Sequence, residues 1–156
     1  MLYHSSRTKR LIAIADRLCE ATGLTDDLIT AVATEAYRDD ENGQDPIPAK
    51  LRGLISAGAW TDAALALIAD KLPRWKLRRL AYDEGQWHCA LSLQPDLPEW
   101  LDDAIETQHR DLPLAILNAC VETLRRKPEA PQATCMPTVP RVRAMREETI
   151  LCENFA

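Results

Sequence analysis

Three groupings of side chains in this sequence have the types and spacing that chemistry uses. Glu106-Thr107-Gln108-His109 has the E-x-x-H spacing that sets a carboxylate and an imidazole on one helix face, as in di-iron bundles. Such a centre needs a second copy of the spacing and two more inward glutamates, and the chain has one copy, with Glu106 outside the apolar stripe. No metal is therefore expected; metal-dependent activity at Glu106 and His109 is the weakest reading, and a solvated helix end with His109 favoured by the helix dipole is the ordinary one. His88 and Cys89 place an imidazole beside a thiol, but neighbours on a strand point to opposite faces and cannot form a nucleophile pair. Cys89 is expected as a small buried residue and His88 on a polar face near Leu80. The third grouping is Lys71, Arg74, Lys76, Arg78 and Arg79, five basic residues in nine with no acid between them, a density that attracts phosphates.

The rest of the chain offers catalysis little material. It has no G-x-S-x-G, no glycine-rich phosphate loop and no zinc spacing, and five glycines in 156 residues leave little for a phosphate cradle. No catalytic residue and no cofactor are expected. With 46% hydrophobic and 28% charged residues the composition is that of an ordinary globular domain. The longest nearly uncharged apolar run, Leu112 to Val121, is about half the roughly 20 residues a membrane span requires, so no membrane association is expected. Five cysteines, an odd number without C-x-x-C spacing, suggest a reduced, cytoplasmic chain.

Helices must position these groups. Leu11, Ile14, Ala15 and Leu18 fall at i, i+3, i+4 and i+7, which predicts a first helix from about Ser5 or Ser6 to Ala21. Thr25 caps a second with Leu28, Val32, Ala33 and Ala36 on its stripe; an exposed loop over Asp39–Pro46 follows. Pro48 suits the first turn of a third helix that Gly58 stops, and Thr61 caps a fourth that Pro73 ends. Residues 74–93 then alternate with period 2 and read as a β-hairpin around Asp83-Glu84-Gly85. A three-residue loop sets Tyr82 opposite Gln86 and Leu80 opposite His88. One face then holds Trp75, Leu77, Ala81, Trp87, Cys89, Leu91 and Leu93, and the other Lys76, Arg78, Leu80, Tyr82, His88 and Ser92. Arg79 falls on the Trp-rich face, retained there by a contact with the Trp87 indole or turned outward by a bulge.

Pro95 and Pro98 introduce a fifth helix with Trp100, Leu101, Ala104 and Ile105 inward. Asp111 caps a sixth, apolar around most of its circumference and hence central. The sequence thus predicts a mainly α fold: a compact six-helix domain over residues 1–126, with one antiparallel hairpin between helices 4 and 5. Residues 127–156 carry Pro128, Pro131, Pro137 and Pro140 without periodicity and are expected to be a mobile or surface-draped tail. Only 5% of residues are aromatic, and all four tryptophans lie between positions 60 and 100. Trp75, Trp87 and Trp100 are expected to cluster between hairpin and fifth helix, with Trp60 at the preceding junction.

A helix followed by a basic hairpin resembles the end of a winged-helix DNA-binding domain. The resemblance spans Pro48 to Leu93 and rests on element order. It implies a nucleic-acid-associated regulator using the basic hairpin, but Thr61 to Lys71 offers mostly Ala and Leu where base-reading Arg, Lys, Asn or Gln would stand. With residues 127–156 set aside, 20 acids still face 15 bases, so pairing of the basic run with Asp96, Glu99, Asp102, Asp103, Glu106 or Asp111 is favoured over nucleic acid. The apolar terminal residues Ile150, Leu151 and Phe155 have no evident place in the helical core, so their segment folds back or serves as a motif for a partner. The function expected is a non-catalytic protein–protein interaction module, adaptor or regulatory accessory protein, partnered by another protein. Its interaction residues are drawn from Lys71, Arg74, Lys76, Arg78, Arg79, Tyr82, His88, Ile150, Leu151 and Phe155.

Overall fold

The computed structural model describes residues 2–39, 43–44 and 46–126. Helices α1 (Leu2–Glu20), α2 (Asp26–Ala36), α3 (Ala49–Ser56) and α4 (Trp60–Lys71) come first, with a two-residue ladder between α2 and α3 formed by β1 (Arg38–Asp39) and β2 (Gly43–Gln44). Strands β3 (Lys76–Asp83), β4 (Gln86–Ser92) and β5 (Ile105–His109) follow as an antiparallel sheet of that order, and α5 (Leu112–Arg125) closes the described chain. Helix α5 is the centre. Every residue from Leu114 to Val121 is buried, and the helix packs on α1 and α4 as well as on β4 and β5. Asp111 starts it as expected, its carboxylate accepting the Leu114 N–H at 3.1 Å with Pro113 in the first turn. Full burial of Leu114, Ile116, Leu117 and Val121 stabilises the fold by roughly 1.5–3 kcal/mol per side chain.

The expected stripes of α1 and α2 hold, with Leu11, Ile14, Ala15 and Leu18 packed beside Leu28, Ile29, Val32 and Ala33. Thr25 caps α2 by accepting the Leu28 N–H at 3.4 Å. Several boundaries move. Helix α1 begins at Leu2, ahead of the serines; α4 begins at Trp60, so Thr61 lies inside it; and the expected loop after α2 contains the β1–β2 ladder. No described helix is long and apolar enough to cross a membrane.

The six-helix description is wrong. Among the described residues there are five helices, a two-stranded ladder and a three-stranded sheet, and the insertion of a hairpin after α4 stands. The expected fifth helix is a turn at Pro98, where the Leu101 and Asp102 N–H groups donate to the Pro98 carbonyl, followed by β5. Ile105, Thr107 and His109 alternate inward with Glu106 and Gln108 outward, a period-2 pattern that the apparent stripe Trp100-Leu101-Ala104-Ile105 disguised. What decides the strand is long-range: β4 is buried against α5 and its second edge must be hydrogen-bonded, and β5 satisfies it. Trp100 consequently stays 79% exposed and joins no tryptophan cluster, whereas Trp60, Trp75 and Trp87 pack against the core.

The hairpin register also differs. Asp83 pairs with Gln86, Tyr82 with Trp87 and Leu80 with Cys89, leaving a two-residue loop with Glu84 at φ 49° and Gly85 at φ 81°. Two consecutive positive φ values are the mark of a type I′ turn, a two-residue loop whose twist matches the flanking strands, in place of the expected three-residue loop. Leu80 and Tyr82 therefore share the face of Cys89 and Trp87, and Ala81 moves to the opposite one. One bulge restores Leu77 opposite Leu91; Arg78 is the extra residue, and Arg79 pairs with Ala90 on the outer face, away from Trp87. The ring that meets Trp87 is Tyr82, at 5.2 Å between centroids.

Candidate binding groove beside the basic hairpin

The structure disperses the basic run of residues 71–79. Lys71 closes α4, its ammonium 4.0 Å from the centre of the Tyr37 ring. The Tyr37 hydroxyl donates to Asp70, and burial, that bond and the Asp70 charge push its ionisation well above the usual tyrosine range. Arg74 is exposed in the turn leading to β3, with no ion pair among the described residues, and Lys76 is exposed at the start of β3. Arg78 is consumed internally: its guanidinium donates to the Asp102 carboxylate and, at 2.8 Å, to the Leu97 carbonyl. Asp102 also accepts from the Ser92 hydroxyl at 2.7 Å, and that hydroxyl accepts the Gln94 N–H at 2.9 Å. Of the acids expected to complement the hairpin, Asp102 does so.

These bonds fold the connection 93–104 against the base of the hairpin and leave a groove of about 570 Å³. Its walls are Leu72 and Trp75 from the α4–β3 junction, Leu93, Leu97 and Leu101 from the connection, and Leu124 from α5. Arg7, Lys71, Arg74 and Arg126 stand around it with Asp102 and Asp103. Both acids are engaged, Asp102 by Arg78 and Asp103 by Arg126 at 3.0 Å. Leu93 and Leu101 remain 46% and 54% exposed, so apolar surface and cationic rim meet at one place. The groove therefore offers hydrophobic area beside charged groups.

Arg79 and His88 lie instead at a second, polar cavity of about 510 Å³ with Glu106, Gln108, Cys19 and Asn118. Among the described residues no hydrogen bond links Arg79, His88 and Glu106 into a catalytic array. Cys89 is buried on the strand face opposite His88, although it also borders this cavity. Burial lifts its thiol to about 11, and burial together with the neighbouring Cys89 lifts Cys120 to about 12, so neither is a ready thiolate.

Glu106 and His109 sit on a strand, where residues three apart face opposite sides, so the spacing that suggested a shared ligand face has lost its premise. His109 is occupied: Nδ1 accepts the Asp111 N–H at 2.9 Å, which makes Nε2 the donor to the Ala21 carbonyl at 3.0 Å. Far from being a solvated helix end, it ties β5 to the end of α1. No group of three or more candidate metal ligands occurs among the described residues. Tyr82 is exposed at the hairpin tip, remote in sequence and strand position from the groove walls. Ile150, Leu151 and Phe155 lie outside the described residues.

Comparison with protein-family models, curated proteins and solved structures returns no match. Sequence reasoning found Lys71 and Arg74 but missed the leucine wall, although Leu93, Leu97 and Leu101 recur every fourth residue around Pro95 and Pro98. Leu93 is read there as a hairpin residue and Leu101 as part of a helix stripe, and the fold-back carrying Asp102 to Arg78 puts them on one wall.

Proposed function

We propose that the protein is a non-catalytic interaction module whose groove binds an apolar peptide segment carrying acidic residues. The observation that carries this reading is the meeting of exposed Leu93 and Leu101 with Lys71 and Arg74 at the rim of a cavity of about 570 Å³. Leucine walls supply non-directional affinity, roughly 25 cal/mol for each Å² of apolar surface buried, while the rim selects acidic partners and favours their approach. A nucleic-acid partner is less well supported, because Arg78 spends its charge on Asp102 and Arg79 lines a different cavity from Arg74. A reducing, cytoplasmic setting is part of the proposal, supported by the odd cysteine count.

Selection of a random-peptide display library on the full chain tests the reading. The expected winners combine leucine or phenylalanine with glutamate or aspartate, and lose at least tenfold in affinity to chains carrying Leu93→Asp with Leu101→Asp, or Arg74→Glu. Winners without acidic residues, or binding indifferent to these substitutions, would remove the groove from consideration.

A further inference from the structure

We propose that the groove is a regulated site whose resident occupant is the chain's own segment 147–156, docked in cis and displaced by any external peptide. The inference rests on the groove reading above. Glu147-Glu148-Thr149-Ile150-Leu151-Cys152-Glu153-Asn154-Phe155-Ala156 carries three glutamates, no lysine or arginine, and apolar Ile150, Leu151 and Phe155. It lies outside the described residues, and its composition is the chemical complement of leucine walls under a rim holding Lys71 and Arg74. The glutamates answer the two cations, and the three apolar side chains answer Leu93, Leu97 and Leu101.

Chain geometry permits the return. Arg126, the last described residue, itself stands at the groove, so the segment departs from the place where it would dock. The twenty residues between Arg126 and Glu147 extend at most about 3.3–3.6 Å each, ample reach for doubling back over a cavity at their own point of departure. A short tether of this kind presents its end at an effective concentration on the order of millimolar, enough to hold a weak contact closed against dilute competitors. Arg141, Arg143 and Arg146 fall before the acidic segment, so the charge of the segment itself is purely negative. An external partner must then outcompete it, which makes the module self-inhibited.

The test titrates a fluorescent synthetic peptide of sequence 147–156 against the full chain and against the full chain carrying Ile150→Asp, Leu151→Asp and Phe155→Asp. The substituted chain should bind at least tenfold more tightly because its internal competitor is gone, and adding Leu93→Asp with Leu101→Asp should abolish that binding. Hydrogen exchange over residues 93–101 should be slower in the unmodified chain than in the tail-substituted one, and Glu147→Lys with Glu148→Lys and Glu153→Lys should reproduce the release. Equal affinity for both chains, with exchange unchanged, overturns cis docking; the groove reading then survives only if library-selected acidic peptides still bind. Failure of every peptide on every chain overturns both.

Discussion

Arg78 and Asp102 form an ion pair that joins the bulge of β3 to the connection following β4, with the Asp102 side chain only 4% exposed. The pair turns an inserted residue in one strand into the anchor of a distant loop. It holds Leu97 by its carbonyl and thereby sets one wall of the groove. It also explains why a dense basic run does not present a continuous cationic surface.

Removing one partner leaves the other charge confined. Asp102→Ala should cost about 3–5 kcal/mol in urea denaturation, the range for a broken buried pair. Asp102→Asn, which keeps a partner for Ser92, should cost less, and the Arg78→Ala with Asp102→Ala double variant should cost less than the sum of its parts. A loss below about 1 kcal/mol for Asp102→Ala would show the pair behaving as a surface contact.

The hairpin turn can be improved. Glu84 occupies φ 49°, a left-handed position that a residue with a long side chain holds only at some strain, next to Gly85 at φ 81°. Glu84→Asn creates the Asn-Gly pair favoured by type I′ turns and should raise stability by about 0.5–1 kcal/mol, whereas Gly85→Ala should lower it by about 1 kcal/mol or more. Thermal unfolding of the two variants should move in opposite directions; movement in the same direction would contradict the turn assignment.

Buried thiols give a signature at alkaline pH. In the fold Cys89 and Cys120 keep their protons up to about 11 and about 12, against 9.0 when solvated, and Tyr37 is shifted the same way. The unfolded chain therefore deprotonates first. Stability is fully present below pH about 9 and falls as pH rises toward 11–12, by up to about 1.4 kcal/mol per pH unit for each thiol. Cys120→Ala should flatten that fall in denaturation measured across pH. Alkylation mapped by mass spectrometry at pH 8 should modify exposed Cys19 while Cys89 and Cys120 stay protected until the protein unfolds.

Tyr37 links the core to the groove rim, since its hydroxyl meets Asp70 and its ring lies under Lys71. Tyr37→Phe should cost about 1 kcal/mol for the lost hydrogen bond while leaving peptide affinity nearly unchanged. Tyr37→Leu removes the ring as well and should weaken binding of selected acidic peptides, because Lys71 loses its platform. Identical peptide affinities for the two variants would show that the ring does not position Lys71.

Local patterns alone determined much of this protein. The i, i+3, i+4, i+7 spacing of Leu11 to Leu18, the caps Thr25 and Asp111, and the apolar girth of residues 114–121 are properties of short segments, and each appears as read. Tertiary structure decided what such segments leave degenerate. Leu101 and Ile105 fit a helix stripe, yet the buried edge of β4 requires hydrogen-bond partners and draws Ile105–His109 into the sheet. The sequence left six acids as partners for the basic run, and a bulge with a loop 24 residues away selects Asp102 for Arg78. The groove's leucines were visible in the sequence while their common wall, set by the fold-back of the 93–104 connection, was not. Side-chain type is local, but the partner that satisfies a strand edge or a buried charge is supplied by chain closure over long separations.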